Sequence, residues 1–246
     1  MSPRKYLPDR KARIARIWSN RELRRYAPLV SGSVANVSAW KDLDKEGSRY
    51  RDYFTNAESY TLTNKSGFRG SQGADEIDLD LEGDLPESLV GAFDAVLNHT
   101  TLEHIFDIRT AFRNLCSLSR DLVMIVVPFA QEQHESADYG DYWRFTPTAL
   151  RRLFQENDLQ TLRVSWNEHS NAATYVLAIG SRHADKWKDR LPPPQSQSRH
   201  PAAWIGRPRV GPTRQELKAA ARRVLSALGV RSPRVAVDSS TYGHDD

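Results

Sequence analysis

Hydrophobic positions change period several times along the chain, and each change marks an element. Ile14, Ile17 and Trp18, followed by Leu23 and Tyr26, recur at helical spacing over residues 10–26, and Pro28 stops the run. Leu29 to Val34 (LVSGSV) is a short apolar run entering a small-residue turn, and predicts a first strand. Ser59 to Thr63 (SYTLT) alternates and predicts a second. Residues 65–74 hold three glycines and read as a loop. Asp75 to Leu81 alternates acid and aliphatic residues, which predicts a third strand ending near Asp80.

The strongest patterning follows. Phe93 to Leu97 (FDAVL) predicts a buried strand, and Leu102, Ile105, Ile108, Phe112 and Leu115 predict a helix over 102–115. Leu122 to Val127 (LVMIVV) is continuously aliphatic, as in parallel strands covered on both faces, and Pro128 is expected to end it. A long loop, Phe129 to Phe145, leads to Thr146-Pro147, an N-cap and first-turn pair that opens a helix to about Asn157. Leu159–Trp166 and Thr174–Ser181 read as two strands with no helix between them, hence an antiparallel hairpin. Strand–helix alternation predicts an α/β domain with a mostly parallel sheet. From Lys186 the composition changes to a Pro/Gln/Ser linker. Pro212 to Glu216 forms a capping box before a basic helix with Leu217, Val224 and Leu228 on one side. The expected division is a basic helix at 1–28, the α/β domain at 29–185, a linker at 186–212, and a basic helix with its tail at 213–246.

Composition narrows the function classes. The chain has 246 residues, of which 39% are hydrophobic and 27% charged, with mean hydropathy −0.63, so part of it is expected to lie outside the core. No run reaches the roughly 18–20 apolar residues of a membrane span. The N-terminus lacks an apolar signal core, so a cytoplasmic location is expected, and the sequons at Asn36, Asn64 and Asn98 carry no meaning there. The single cysteine, Cys116, excludes an internal disulfide framework and a cysteine zinc cluster. Charge is uneven. Residues 1–26 carry nine Lys/Arg against two Asp/Glu, residues 186–246 twelve against five, and residues 27–185 fourteen against twenty-four. The basic ends either pack on the acidic body or reach a partner, whether a second copy, another protein or an anionic polymer. Nucleic acid ranks last among these, because no dedicated motif is present. Walker A, H-E-x-x-H and G-x-S-x-G patterns are absent, and His99 and His104 are five apart, so no metal pair on one helical face is expected.

Candidate chemistry gathers where strands end. The strand at Phe93–Leu97 delivers Asn98 and His99 to the carboxyl edge of the sheet, where α/β proteins bind ligands. The loop from Phe129 to Phe145 carries His134, Glu135, Asp138, Tyr139, Asp141, Tyr142, Trp143 and Arg144, a composition suited to a substrate lid.

Three segments together resemble the class I S-adenosylmethionine-dependent methyltransferases, in particular small type 11-like bacterial ones of surface-glycan gene clusters. They are Phe93-Asp94-Ala95-Val96-Leu97 with Leu102-Glu103-His104, the aliphatic strand into Pro128-Phe129, and His134 with Asp141-Tyr142-Trp143-Arg144-Phe145-Thr146-Pro147. The resemblance covers residues 29–182. It implies a Rossmann-like fold, with a seven-stranded, mostly parallel sheet, a C-terminal antiparallel hairpin and helices on both faces. It also implies S-adenosyl-L-methionine as cofactor and methylation, with oxygen the expected atom, of a small-molecule or glycan acceptor. The implied cofactor-binding residues are Ser31, Gly32 and Ser33 in the first loop, Asn64 after the second strand, Asp80 (favoured over Asp78) after the third, and Asn98 with His99 after the fourth. His134 is the first candidate base and Asp141 the second. Tyr142, Trp143 and Arg144 are candidates for holding the acceptor. The first loop has one glycine where the family carries several, and Asn64 stands where it carries an acid. These departures support an alternative: a catalytically inactive methyltransferase-like scaffold.

Overall fold

The computed structural model describes residues 7–67, 76–167 and 173–194, together with Val224. These elements, Val224 apart, lie in one compact unit of residues 1–207, and a second unit begins at Pro208. Apart from Val224, the expected helix from residue 213 lies outside the described residues, as does most of the expected linker.

The sheet has seven strands: β1 (Gly32–Val37), β2 (Ala57–Asn64), β3 (Ile77–Asp78), β4 (Phe93–His99), β5 (Ser119–Ala130), β6 (Gln160–Trp166) and β7 (Thr174–Ser181). Their spatial order is β3-β2-β1-β4-β5-β7-β6. The first five are parallel, and β7 runs antiparallel to both β5 and β6. The hairpin read from the sequence is therefore present, with its second strand inserted between β5 and β6.

Alternation along the strands divides the core into two layers. Val34, Ala95, Leu97, Met124, Val126 and Leu177 face α1 (Leu7–Tyr26), whose Ala15, Leu23 and Tyr26 are fully buried. Ala35, Val37, Val96, Ile125, Val127 and Val176 face α2 (Ile108–Leu118) and α3 (Pro147–Glu156) through Phe112, Leu115, Leu150 and Phe154. Helices thus cover both faces. The N-terminal helix is part of the domain's core, and so are Trp187 of α4 (Ala184–Trp187) and Leu191. Removing any of the large buried side chains would cost about 2–5 kcal/mol.

Four element boundaries differ from the sequence pattern. The third strand is only Ile77–Asp78, so Asp80 lies two residues beyond its end. Residues Ala27–Leu29 form a 3-10 turn, so β1 starts at Gly32, three residues later than the apolar run suggests. The expected helix at 102–115 is broken. Leu102–His104 is a separate 3-10 turn, and Asp107 caps α2 by accepting the Thr110 amide at 3.2 Å. β5 runs through Pro128 because its pairing with β4 ends at His99↔Val126, so the missing amide costs no bond to that neighbour. The Thr146 cap with Pro147 in the first turn is as the sequence predicts, with the Thr146 hydroxyl accepting the Ala149 amide at 3.0 Å.

Candidate functional site

The parallel register brings Val37, Thr63, Asn64, Asp78, Asn98 and His99 to one edge of the sheet. The chain winds outward from β1 through β2 to β3 and then returns to β4, so β1 and β4 flank the topological switch point. The loop leaving β1 there has an unusual backbone. Ser38, Trp40 and Asp42 all sit in the left-handed region, at φ 57°, 50° and 56°. Left-handed residues at i, i+2 and i+4 are what a G-x-G-x-G loop supplies without strain, and here none is glycine. Each costs up to about 1–2 kcal/mol, less for Asp. Side chains hold the shape instead. Asn64 Oδ1 accepts the Trp40 amide at 2.7 Å, and Asp42 accepts Asn36 Nδ2 at 2.8 Å, Tyr60 Oη at 2.9 Å and the Arg51 amide at 3.1 Å. Burial pushes the Asp42 carboxyl up, against those bonds. Burial acts the same way on Asp44, but bonds from the Tyr53 hydroxyl and the Glu46 and Ser48 amides outweigh it and hold that carboxyl low. Arg24 of α1 pairs with Asp44 at 3.1 Å and Glu46 at 2.9 Å, so part of the N-terminal basic charge is neutralised on the acidic body.

The strand-end residues differ in how far they are engaged. Asn64 also donates to Glu76 at 2.8 Å. Asp80 is half-exposed, pairs with Lys65 at 2.6 Å and accepts the Glu82 amide; these contacts outweigh its partial burial and lower its carboxyl. His99 meets Ser19 Oγ at 3.0 Å and lies 5.1 Å from the Tyr50 ring; burial, with Arg16 nearby, holds it well below the ordinary value and neutral. Asn98 is fully buried. Its Nδ2 donates to the Val37 carbonyl at 3.0 Å, while its Oδ1 has no partner among the described residues.

Beyond β4, the turn at 102–104 and the loop after β5 close on each other. The Glu103 carbonyl accepts the Tyr142 and Trp143 amides at 2.8 and 3.2 Å, Trp143 Nε1 donates to the Ile105 carbonyl at 3.0 Å, and His104 Nδ1 meets the Gly140 carbonyl at 2.7 Å. These bonds tie the L-E-H and D-Y-W-R-F segments to each other. Phe106, Tyr142 and Trp143 gather above them as an exposed aromatic surface, with the Phe106 and Tyr142 rings 5.3 Å apart. Asp141 lies beneath, its side chain fully buried, bound by both Arg144 nitrogens at 2.6 Å and facing His134 Nδ1 at 3.3 Å. Burial alone would raise its carboxyl, but Arg144 and the His134 amide hold it down at about 2.

No family model matches the chain, and no curated protein matches it in sequence. Solved structures do match in shape. A 1,6-didemethyltoxoflavin N1-methyltransferase from Burkholderia thailandensis is 14% identical, with TM-score 0.48, covering 67% of this chain and 80% of that one. Magnesium protoporphyrin IX methyltransferase from Synechocystis is 13% identical, with TM-score 0.46, covering 69% and 80%. An O-methyltransferase family protein from B. thailandensis is 12% identical, with TM-score 0.48, covering 73% and 59%. What decides the fold is the chain's own topology, five parallel strands ordered 3-2-1-4-5 and an antiparallel β7 inserted before β6. The fold is that of the class I methyltransferases.

Within the methyltransferase fold, two of the sequence expectations need correction. Ser31, Gly32 and Ser33 do not form the loop at the carboxyl edge; Gly32 and Ser33 open β1 at the opposite edge. There the Ser33 amide and hydroxyl donate to Asp94 at 2.8 and 3.0 Å, and a Cβ on Gly32 would fall 2.2 Å from Asp94 Oδ2. The apolar pair Leu29-Val30 misleads because it packs against α1 rather than inside the sheet. The loop that leaves β1 at the carboxyl edge is Ser38 to Asp42, and its place is set by where β1 ends, at Val37. Asp141 is too well satisfied to take a proton at neutral pH; it accepts the His134 backbone amide. Arg144 is likewise held by Asp141 and stays charged. Sequence reasoning assigned no role to Glu103 or Arg16. Glu103 is 1% exposed, and its Oε2 has no partner among the described residues. Burial pushes its carboxyl up to about 8, although Arg16 opposes this.

Proposed function

We propose that this chain is an S-adenosylmethionine-dependent methyltransferase that methylates an oxygen of a small-molecule or carbohydrate acceptor. The observation that carries the reading is the unpartnered, fully buried Asn98 Oδ1, placed at the switch point beside the left-handed loop 38–42. A buried acceptor without a partner costs about 1–3 kcal/mol, and a ligand ammonium group would relieve that cost. The methionine end of the cofactor thus fits the residues present: Asn98 to accept from the ammonium group, and the backbone of Ser38–Asp42 to follow the chain of the ligand. Asp80 would take the adenine amino group in exchange for Lys65.

When bound, the cofactor supplies a methyl group on a sulfonium. The protein's task is alignment, exclusion of water and removal of the acceptor's proton. His134, whose backbone amide is bonded to Asp141, is the group we assign to receive that proton. The Phe106, Tyr142 and Trp143 rings offer apolar faces for an acceptor ring. The glycan character of the acceptor rests on the sequence resemblance.

A second reading has its own support. Asn64, in the position for binding the ribose, is already bonded to Trp40 and Glu76, and side chains stand at 38 and 40 where glycines would admit the ligand. This favours a methyltransferase-like binding protein. Calorimetric titration with S-adenosylmethionine and S-adenosylhomocysteine separates the two readings. Micromolar binding, weakened about 10–100-fold by Asn98→Ala, is expected of the enzyme. No binding up to millimolar concentration overturns the enzyme reading in favour of the scaffold.

A further inference from the structure

We propose that Glu103, His104 and His134 form a binding site for one divalent first-row transition-metal ion. One nitrogen of each imidazole and one carboxylate oxygen lie within 4.8 Å of one another. The residues come from two segments, the 102–104 turn and the loop after β5, that the backbone bonds to Glu103 and the Gly140–His104 contact already hold together.

Three features mark a built site rather than a chance cluster. Glu103 is 1% exposed, and its Oε2 has no hydrogen-bond partner among the described residues, so a carboxyl oxygen is buried without the donor that burial demands. Each imidazole is also held in place by its own contacts. His104 Nδ1 donates to the Gly140 carbonyl at 2.7 Å, His134 Nδ1 meets Gln131 Nε2 at 3.0 Å, and the His134 backbone amide donates to Asp141 at 2.8 Å. Finally, Asp141 is itself clamped by Arg144, so the support of the His134 backbone extends one layer further.

Two imidazoles and one carboxylate suit zinc, iron, manganese or cobalt, and suit magnesium and calcium poorly. Donors around a common ion at about 2.0–2.2 Å sit roughly 3.3 Å apart, so the three groups must close by at most about 1.5 Å. His134 lies in an irregular loop that can supply this movement. The charge of Arg16 already acts on the same carboxylate, and an ion would share it. An imidazole bound to metal through its lone pair cannot also take a proton there, so occupancy competes with the base role proposed for His134.

The test reads metal on the full chain with no cofactor or acceptor present, so its failure leaves the methyl-transfer reading untouched. Dialysis against zinc sulfate followed by metal analysis is expected to give one ion per chain. X-ray absorption at the zinc edge is expected to show two imidazole nitrogens. Glu103→Gln and His134→Gln are each expected to weaken zinc binding more than tenfold in a chelator competition, while His183→Gln leaves it unchanged. A wild-type chain that retains no zinc, or zinc with no imidazole ligands, overturns the proposal whether or not the variants fold. Equal binding by folded Glu103→Gln and His134→Gln variants overturns it as well.

Discussion

Gly32→Ala separates the two possible meanings of the Ser31–Ser33 segment. If that segment cradled a cofactor, the substitution would abolish binding and leave folding nearly intact. The structure requires the reverse. Gly32 has φ +86°, and a Cβ there would lie 2.2 Å from Asp94 Oδ2 and 2.7 Å from its Cγ. The left-handed backbone alone costs an alanine about 1–2 kcal/mol. Moving Asp94 aside weakens its two bonds from Ser33 and its ion pair with Arg120 at 3.1 Å, which together contribute about 1–2 kcal/mol at this half-exposed position. A destabilisation of roughly 2–4 kcal/mol is expected, equivalent to a fall in Tm of about 4–16 °C for a domain of this size. Urea denaturation followed by tryptophan fluorescence measures it. Asp94→Ala added to Gly32→Ala removes the collision, so the double variant should lose less than the sum of the two single losses. Affinity for S-adenosylmethionine, measured on the folded fraction, should not change. A Gly32→Ala chain of parental stability that no longer bound the cofactor would refute the placement of this segment at the amino edge.

Two further outcomes follow from the hydrogen-bond networks. Asp121 accepts from Ser181, Lys186 and Trp187; burial raises its carboxyl, but these partners outweigh burial and lower it below the ordinary 3.8. A depressed folded value means that its contribution is full above the unfolded value and disappears as pH falls through the folded one. Asp121→Asn should therefore reduce stability at neutral pH and flatten its decline below about pH 4 in acid titrations followed by circular dichroism; an unchanged acid limb would rule the network out as its source. Asn64→Ala releases the Trp40 amide and should cost about 1–3 kcal/mol in urea denaturation, with faster hydrogen exchange at residues 38–42. Unchanged exchange there would show that the left-handed loop is held by other bonds.

Much of the fold was legible because it rests on local periodicity. Short apolar runs buried on both faces define β4, β5 and β7, and Thr146-Pro147 fixes the start of α3 whatever lies around it. The carboxyl-edge positions of Asn98 and His99 followed from the end of β4 alone. The sequence could not distinguish Leu29-Val30 buried against a helix from the same pair inside a strand, because both environments select the same residue types. Nor could it foresee the break at Phe106-Asp107, since apolar spacing continues across it. The site's chemistry depended on tertiary structure for a further reason. Reactivity follows from what surrounds a side chain, and the partners come from distant segments: Asn64 is twenty-four residues from Trp40, and Glu103 thirty-one from His134. Composition and spacing established that acids, histidines and aromatics were present. Only the folded sheet edge decided that Asp141 is satisfied by Arg144, that Ser38 to Asp42 take glycine-like backbone shapes, and that Glu103 is buried with an oxygen unpaired.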